Sequence, residues 1–106
     1  MPEIEVNGKK IELNQEGFLV HPDEWDDAVA EVLAKTEEGI ENLTDDHWTV
    51  VKYIRSYYLE KNLAPMVRKV CKNTGFALKY IFELFPSGPA KGACKVAGLP
   101  KPDGCV

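Results

Sequence analysis

The sequence predicts an α+β fold that is mainly α: an N-terminal β-hairpin packed on a five-helix orthogonal bundle, with a helix-turn-helix-like pair in the bundle and a mobile C-terminal arm. Three observations predict it. Apolar and polar residues alternate through "IEVNGKKIEL" around Asn7-Gly8, the dipeptide suited to a type I′ turn in which both central residues need positive φ. From Pro22 onward the apolar spacing changes to that of amphipathic helices. The last nine residues, "GLPKPDGCV", have neither period and hold two prolines and two glycines, the composition of a turn or an arm rather than a packed element. At 106 residues the chain builds one modest core. Residues 1–97 are read as the helical domain with its hairpin, and 98–106 as an arm of that same domain.

The elements follow in order. The hairpin covers roughly residues 3 to 14, and "GFLV" has the pattern of a short third strand. After Pro22, the residues Trp25, Ala28, Val29, Val32 and Leu33 recur at i, i+3, i+4, i+7 and i+8, the stripe of a first helix. "TEEGIEN" reads as a loop. Thr44 is the N-cap of a second helix, with Asp45 and Asp46 in the first turn, where the helix dipole favours acids. That helix is expected to reach about Lys61 and to bury Val50, Val51, Ile54, Tyr57 and Tyr58.

Pro65 suits the first position of a third helix, whose inner face is Val67, Val70 and Cys71 and which Asn73-Thr74-Gly75 closes. A fourth helix, "FALKYIFELF", ends before Pro86. Pro89 opens a fifth and Gly98 closes it, which places Ala90, Ala93, Cys94 and Ala97 on one face of small residues. Such a face lets a helix approach its neighbour closely.

Charge and composition bound the function. The net charge of −4 is unevenly spread: residues 1–43 carry −9, residues 44–85 carry +3 and residues 86–106 carry +2. The thiol-bearing end is therefore locally basic, either a solvated surface or a patch for an anionic group or acidic partner. The first residues are acidic, unlike a secretory leader, and no stretch approaches the roughly 18 apolar residues of a membrane span. The reading is cytoplasmic and not membrane-embedded. An odd count of three cysteines in a reducing compartment argues for reactive or buried thiols rather than a disulfide framework.

The three cysteines differ by position. Cys71 lies on the apolar stripe of the third helix and reads as a buried small hydrophobe. Cys94, on the small-residue face, reads equally as close packing or as a working thiol, and Lys91 and Lys95 beside it would favour a thiolate. Cys105 is the penultimate residue, where a terminus exposes its side chains and a thiol without a task is an oxidation liability. The nine residues from Gly98 reach about 30 Å when extended, or fold back through Gly98 and Gly104. One thiol can then travel while the other waits, the layout of a sulfur carrier with a resolving cysteine. No set of ligands stands at zinc spacing, so no metal site is assigned.

Other features are weaker. His21 and His47 have no partner at ligand spacing and read as structural or solvated. Residues Pro65 to Phe85 outline a helix-turn-helix with Arg68, Lys69, Lys72 and Lys79. Its second helix offers only Lys79, Tyr80 and Glu83 as polar side chains, where base readers present Arg, Asn or Gln. Nucleic acid is not expected as a partner, although a redox-responsive DNA-binding regulator is an alternative reading.

The stretch "ELFPSGPAKGACKVAGLPKPDGCV", with "VNGKKIEL", "GFL", "DEW", "DDHW", "APMVRKV" and "TG" before it, resembles the DsrC family, the gamma subunit of dissimilatory sulfite reductase, which is related to the TusE sulfur-relay proteins. Two arm cysteines are the DsrC pattern and map onto Cys94 and Cys105; TusE-type members keep only the penultimate one. The resemblance implies a protein-based sulfur carrier and cosubstrate with no stand-alone activity. Its arm would enter a DsrAB-type sulfite reductase, take sulfur on Cys105, and hold it as a persulfide or as a trisulfide with Cys94. A membrane-bound DsrMKJOP-type complex would then accept it; in sulfur-oxidising relatives the flow is reversed. No cofactor is expected in this chain, the siroheme and iron-sulfur clusters belonging to the reductase, and the free protein is expected to be a monomer. Lys91, Lys95 and Lys101 are candidates for steering anionic sulfur species or for docking. A TusE-like relay toward tRNA thiolation is a further alternative. The family's usual Thr-Gly-Cys-Val ending has Asp103 in place of the threonine here, a charge that would raise the pKa of Cys105.

Overall fold

The hairpin forms because Asn7 and Gly8 both adopt positive φ, 52° and 81°, as a type I′ turn requires. The computed structural model describes residues 3–99, and expectations for Lys101, Asp103, Cys105 and the arm beyond Leu99 lie outside the described residues. Strands β1 (Glu3–Val6) and β2 (Lys9–Glu12) pair antiparallel in the register Glu3↔Glu12 to Val6↔Lys9. Ile4, Val6 and Ile11 point inward and Glu3, Glu5 and Lys10 outward, the period-2 separation that fixes the register. The expected third strand is reduced to one bridge, Leu13↔Leu19. The side chain of Asn14 accepts from the amides of Glu16 and Phe18 and bends the chain before a strand can extend.

Four helices follow as expected in order, the second starting where Thr44 predicts and the other three with shifted starts. Helix α1 spans Asp27–Glu38, capped by the Asp26 side chain on the Val29 amide and closed by Gly39. The apolar stripe placed Trp25 on this helix. Instead Pro22–Glu24 forms a separate 3₁₀ turn and Trp25 is extended, with φ −72° and ψ 138°. Asp26 takes the cap, and the indole is drawn to a distant part of the chain. Helix α2 (Asp45–Lys61) begins at Thr44 and ends at Asn62 in the left-handed region, φ 61°. It buries Val50, Val51 and Ile54 fully, while Tyr57 and Tyr58 are half-buried.

Helix α3 (Val67–Thr74) starts two residues after Pro65, with Met66 as its N-cap; Pro65 is itself buried and serves the core rather than the helix. Only Val70 of this short helix is fully buried, so Cys71 is half-buried at the edge of the main cluster rather than inside it. Helix α4 covers Leu78–Leu84, with Phe76 and Ala77 in the connection.

The fifth helical segment differs in kind. Pro89–Ala93 is a π-helical turn, in which the Cys94 amide donates to the Pro89 carbonyl, and it runs into the short helix α5, Cys94–Val96. The widened turn brings Gly92 against α1 and the end of α4. A Cβ there would stand 2.5 Å from Glu38 Oε1 and 3.0 Å from Phe85 Cβ.

Two clusters make the interior. Ile4, Val6, Ile11, Leu13 and Leu19 pack on Val29 and Leu33 of α1. On its other side, Ala30 and Ala34 join Val50, Val51, Ile54, Val70, Ile81, Leu84 and Phe85 with Ala93, Cys94, Val96, Ala97 and Leu99. Helix α1 thus lies between the hairpin and the remaining helices. At roughly 1.5–3 kcal/mol for each large side chain removed from water, Ile54, Ile81, Phe85 and Leu99, all 0% exposed, are principal supports. Among the described residues no helix is long and apolar enough to cross a membrane.

Candidate functional site

Cys94 opens α5 and is 2% exposed. The small residues around it are what permit this: Ala93 and Ala97 are also buried, at 0% exposure each, so the turn sits close against α1 and α2. The close-packing expectation for this face holds at Ala93, Cys94 and Ala97. The side chains of Ala90 and Lys91 lie outside the described residues.

The chain immediately after Cys94 is held by side chains from far away in sequence. Trp25 donates its indole N–H to the Val96 carbonyl at 2.8 Å. Arg55, on α2, points one amino group at the carbonyls of Ala97 and Gly98, 3.3 and 3.4 Å, and the other at the Pro22 carbonyl, 2.7 Å. Its guanidinium also lies 4.8 Å from the Trp25 ring centroid. Backbone bonds complete the holding, from the amides of Ala97, Gly98 and Leu99 to the carbonyls of Ala93, Lys95 and Cys94. Burial pushes the Arg55 guanidinium below its ordinary value, while Tyr58 and Asp23 pull it back up. The guanidinium nevertheless remains a cation at any physiological pH.

Each anchor has its own support. Lys52 Nζ sits between the Trp25 and Trp48 rings, 5.3 and 5.2 Å from their centroids, and pairs with Asp27 at 2.6 Å. The loop before the π turn is fixed from two sides. Ser87 donates its amide and hydroxyl to the Glu38 carboxylate, 3.0 and 2.6 Å. His47 bridges Thr44 and the Leu84 carbonyl: Nδ1 accepts from the Thr44 amide at 3.0 Å, which leaves Nε2–H to donate to Leu84 O at 2.9 Å. His47 is therefore a structural histidine, 8% exposed.

Of the residues singled out from sequence, Cys94 lies in the core at the root of the terminal segment. Lys95 is half-exposed, and its Nζ lies 5.1 Å over the Phe18 ring. Cys105 and Lys101 fall outside the described residues. Gly98 and Leu99, assigned to the arm, are buried, and Leu99 is 0% exposed. Sequence reasoning missed Trp25 and Arg55 as anchors. The available signal was Arg55 itself, one residue after Ile54 and four after Val51 on the apolar stripe of α2, where an arginine is unexpected unless its donors are used.

On the helix-turn-helix-like pair, Leu78 and Phe82 of α4 are exposed at 42% and 47%. That surface is apolar where base reading needs hydrogen-bonding groups.

A family model described as DsrC like protein matches residues 5–106. The chain is 49% identical, over all of both chains, to the dissimilatory-type sulfite reductase subunit gamma of Nitratidesulfovibrio vulgaris. It is 42% identical to sulfurtransferase TusE of Escherichia coli K12, across 93% of this chain and 95% of that one. Its fold superposes with a TM-score of 0.89 on the oxidised gamma subunit of dissimilatory sulfite reductase (DsrC) from Archaeoglobus fulgidus, at 46% identity, covering 99% of this chain and 100% of that one. With a family model that matches residues 5–106 and a relative 49% identical over the whole of both chains, the chain belongs to the DsrC-like protein family.

Proposed function

We propose that the protein is a sulfur carrier and cosubstrate of a dissimilatory sulfite reductase of the DsrAB type. Cys105 takes the sulfur and Cys94 resolves it. The observation that carries the reading is the pairing of a penultimate thiol with a second thiol rooted in the core, in a chain similar over its full length to a sulfite reductase gamma subunit.

The chemistry balances with sulfite as the sulfur source. Sulfite, two thiols, two electrons and four protons give one trisulfide between Cys105 and Cys94 and three waters. The thiols supply two electrons by becoming oxidised, and the reductase, through its siroheme and iron-sulfur clusters, supplies the other two. A DsrMKJOP-type membrane complex then reduces the trisulfide with four electrons and four protons, which releases hydrogen sulfide and returns both thiols. If Cys105 acts alone, the reductase supplies four electrons and the product is a persulfide, which suits a relay. The TusE relatives favour that as the second reading, with tRNA thiolation as its destination. The presence of Cys94 favours the first.

Intact-mass measurement after incubation with sulfite, reductant and a DsrAB-type reductase tests the reading. Wild-type protein gains one sulfur atom, Cys105→Ala gains none, and Cys94→Ala stops at the persulfide. Undiminished gain in Cys105→Ala overturns the assignment.

A further inference from the structure

Helix α5 is only three residues long, yet the three carbonyls that end it, of Val96, Ala97 and Gly98, each face a side-chain donor from Trp25 or Arg55. An ordinary helix end needs far less. A glycine in the left-handed region and water suffice, and Gly98, at φ +75°, already supplies that conformation. A buried guanidinium is costly unless its donors are paired, and here they are spent on the chain on either side of the Trp25 ring, at Pro22 and at Ala97–Gly98. The space at Gly98 is filled as well. A Cβ there would stand 2.3 Å from Trp25 Cδ1 and 2.9 Å from Trp25 Cβ. Beyond it Leu99 is buried, and its amide returns to the carbonyl of Cys94.

We propose that Trp25 and Arg55 are positioning residues of the thiol site: they clamp Val96–Gly98, keep Cys94 closed in the core, and make Leu99 the point from which the terminal segment departs. Its use rests on the sulfur-carrier reading, but its test does not. The fixed part of the chain then runs through Leu99, two residues further than the composition from Gly98 onward suggests. Cys94 has to be uncovered before another sulfur can meet it, and the clamp sets how often that happens.

The experiment uses the full chain with Cys105→Ala, so that Cys94 is followed without its expected partner. Iodoacetamide modification of Cys94 is timed by peptide mass spectrometry, and amide hydrogen exchange is recorded at Gly98 and Leu99, with Val51 and Ile54 of α2 as references. Arg55→Lys keeps the charge but loses the fork that reaches Pro22 and Ala97 together. Trp25→Phe keeps an aromatic ring and loses the indole N–H. Each variant is expected to speed Cys94 modification and exchange at Gly98 and Leu99 about tenfold, the effect of one charge-assisted or buried hydrogen bond, with the α2 amides changed less than about twofold. Unchanged Cys94 modification in both variants overturns the proposal. So does equal acceleration at Val51 and Ile54, or failure to fold, because either outcome reports general stability and not a local clamp. Failure of sulfur loading with this kinetic pattern intact would overturn the carrier reading alone.

Discussion

Replacing Gly98 by alanine isolates what the Trp25 contact contributes. Two costs add. The left-handed φ of +75° costs a residue with a Cβ about 1 kcal/mol. The new methyl would also stand 2.3, 2.7 and 2.9 Å from Cδ1, Cγ and Cβ of Trp25. Rotating the ring does not clear the last of these, so Trp25 must shift, giving up its bond to the Val96 carbonyl, worth about 1 kcal/mol. Weakening its stacks with Arg55 and Lys52 forfeits about another 1 kcal/mol. The total is about 3 kcal/mol. Gly75→Ala is the control, because φ there is +80° and nothing stands within 4 Å of the added carbon; only the backbone cost of about 1 kcal/mol applies. Urea unfolding followed by far-ultraviolet circular dichroism should separate the two variants by about 2 kcal/mol, or about 10 °C in Tm for a chain of this length. Agreement of the two within about 0.5 kcal/mol would refute the contact argument.

Three further outcomes are expected. His47→Ala removes the cap partner of Thr44 and strands the Leu84 carbonyl, which should lower stability by about 2–3 kcal/mol in the same unfolding assay. Tyr80 donates to Asp46, a bond that raises its pKa above the ordinary tyrosine value, with burial adding to the effect. Its contribution to stability is thus full below about pH 10 and lost only as the pH climbs through the raised value. A phenolate absorbance titration, with Tyr80→Phe as the difference reference, should show Tyr80 ionising late, and Asp46→Ala should shorten that lag. Asp103→Thr removes a charge two residues from Cys105. Two charges about 6 Å apart in water interact by about 0.7 kcal/mol, so a neighbouring charge of that size predicts alkylation about threefold faster near neutral pH once it is removed; no change in rate would remove Asp103 as a modulator.

The parts of the fold legible in the sequence are those fixed by neighbours along the chain. Asn7-Gly8 specifies its turn because the requirement is local, and Thr44 specifies the start of α2 for the same reason. Trp25 was misassigned to α1 because its spacing to Ala28 and Val29 fits a helix. Its partners, Arg55 and Val96, are 30 and 71 positions away, and no local pattern reveals them. The π turn was hidden for a similar reason. A helix closing Cys94 onto Pro89 differs from an α-helix by one residue per turn, which apolar spacing over a short segment does not resolve. Cys94 itself was legible by type and by its alanine neighbours; that the chain stays fixed through Leu99 was not, since glycine and proline composition suggested freedom from Gly98 onward.

Distinct physical quantities then govern the two thiols of the proposed carrier. The rate at which Cys94 meets a reagent is set by the free energy of opening a packed site, because a group 2% exposed reacts only from the open state. For Cys105 the expected control is its thiolate fraction, which Asp103 is predicted to depress. Perturbing one quantity should leave the other untouched. Arg55→Lys should speed Cys94 and spare Cys105, Asp103→Thr should speed Cys105 and spare Cys94, and the double variant should show both effects as a simple product, as independent sites do. A departure from that product would mean that the terminal segment bears on the clamp. The two thiols would then be coupled, and sulfur transfer and release of the clamp would be a single event.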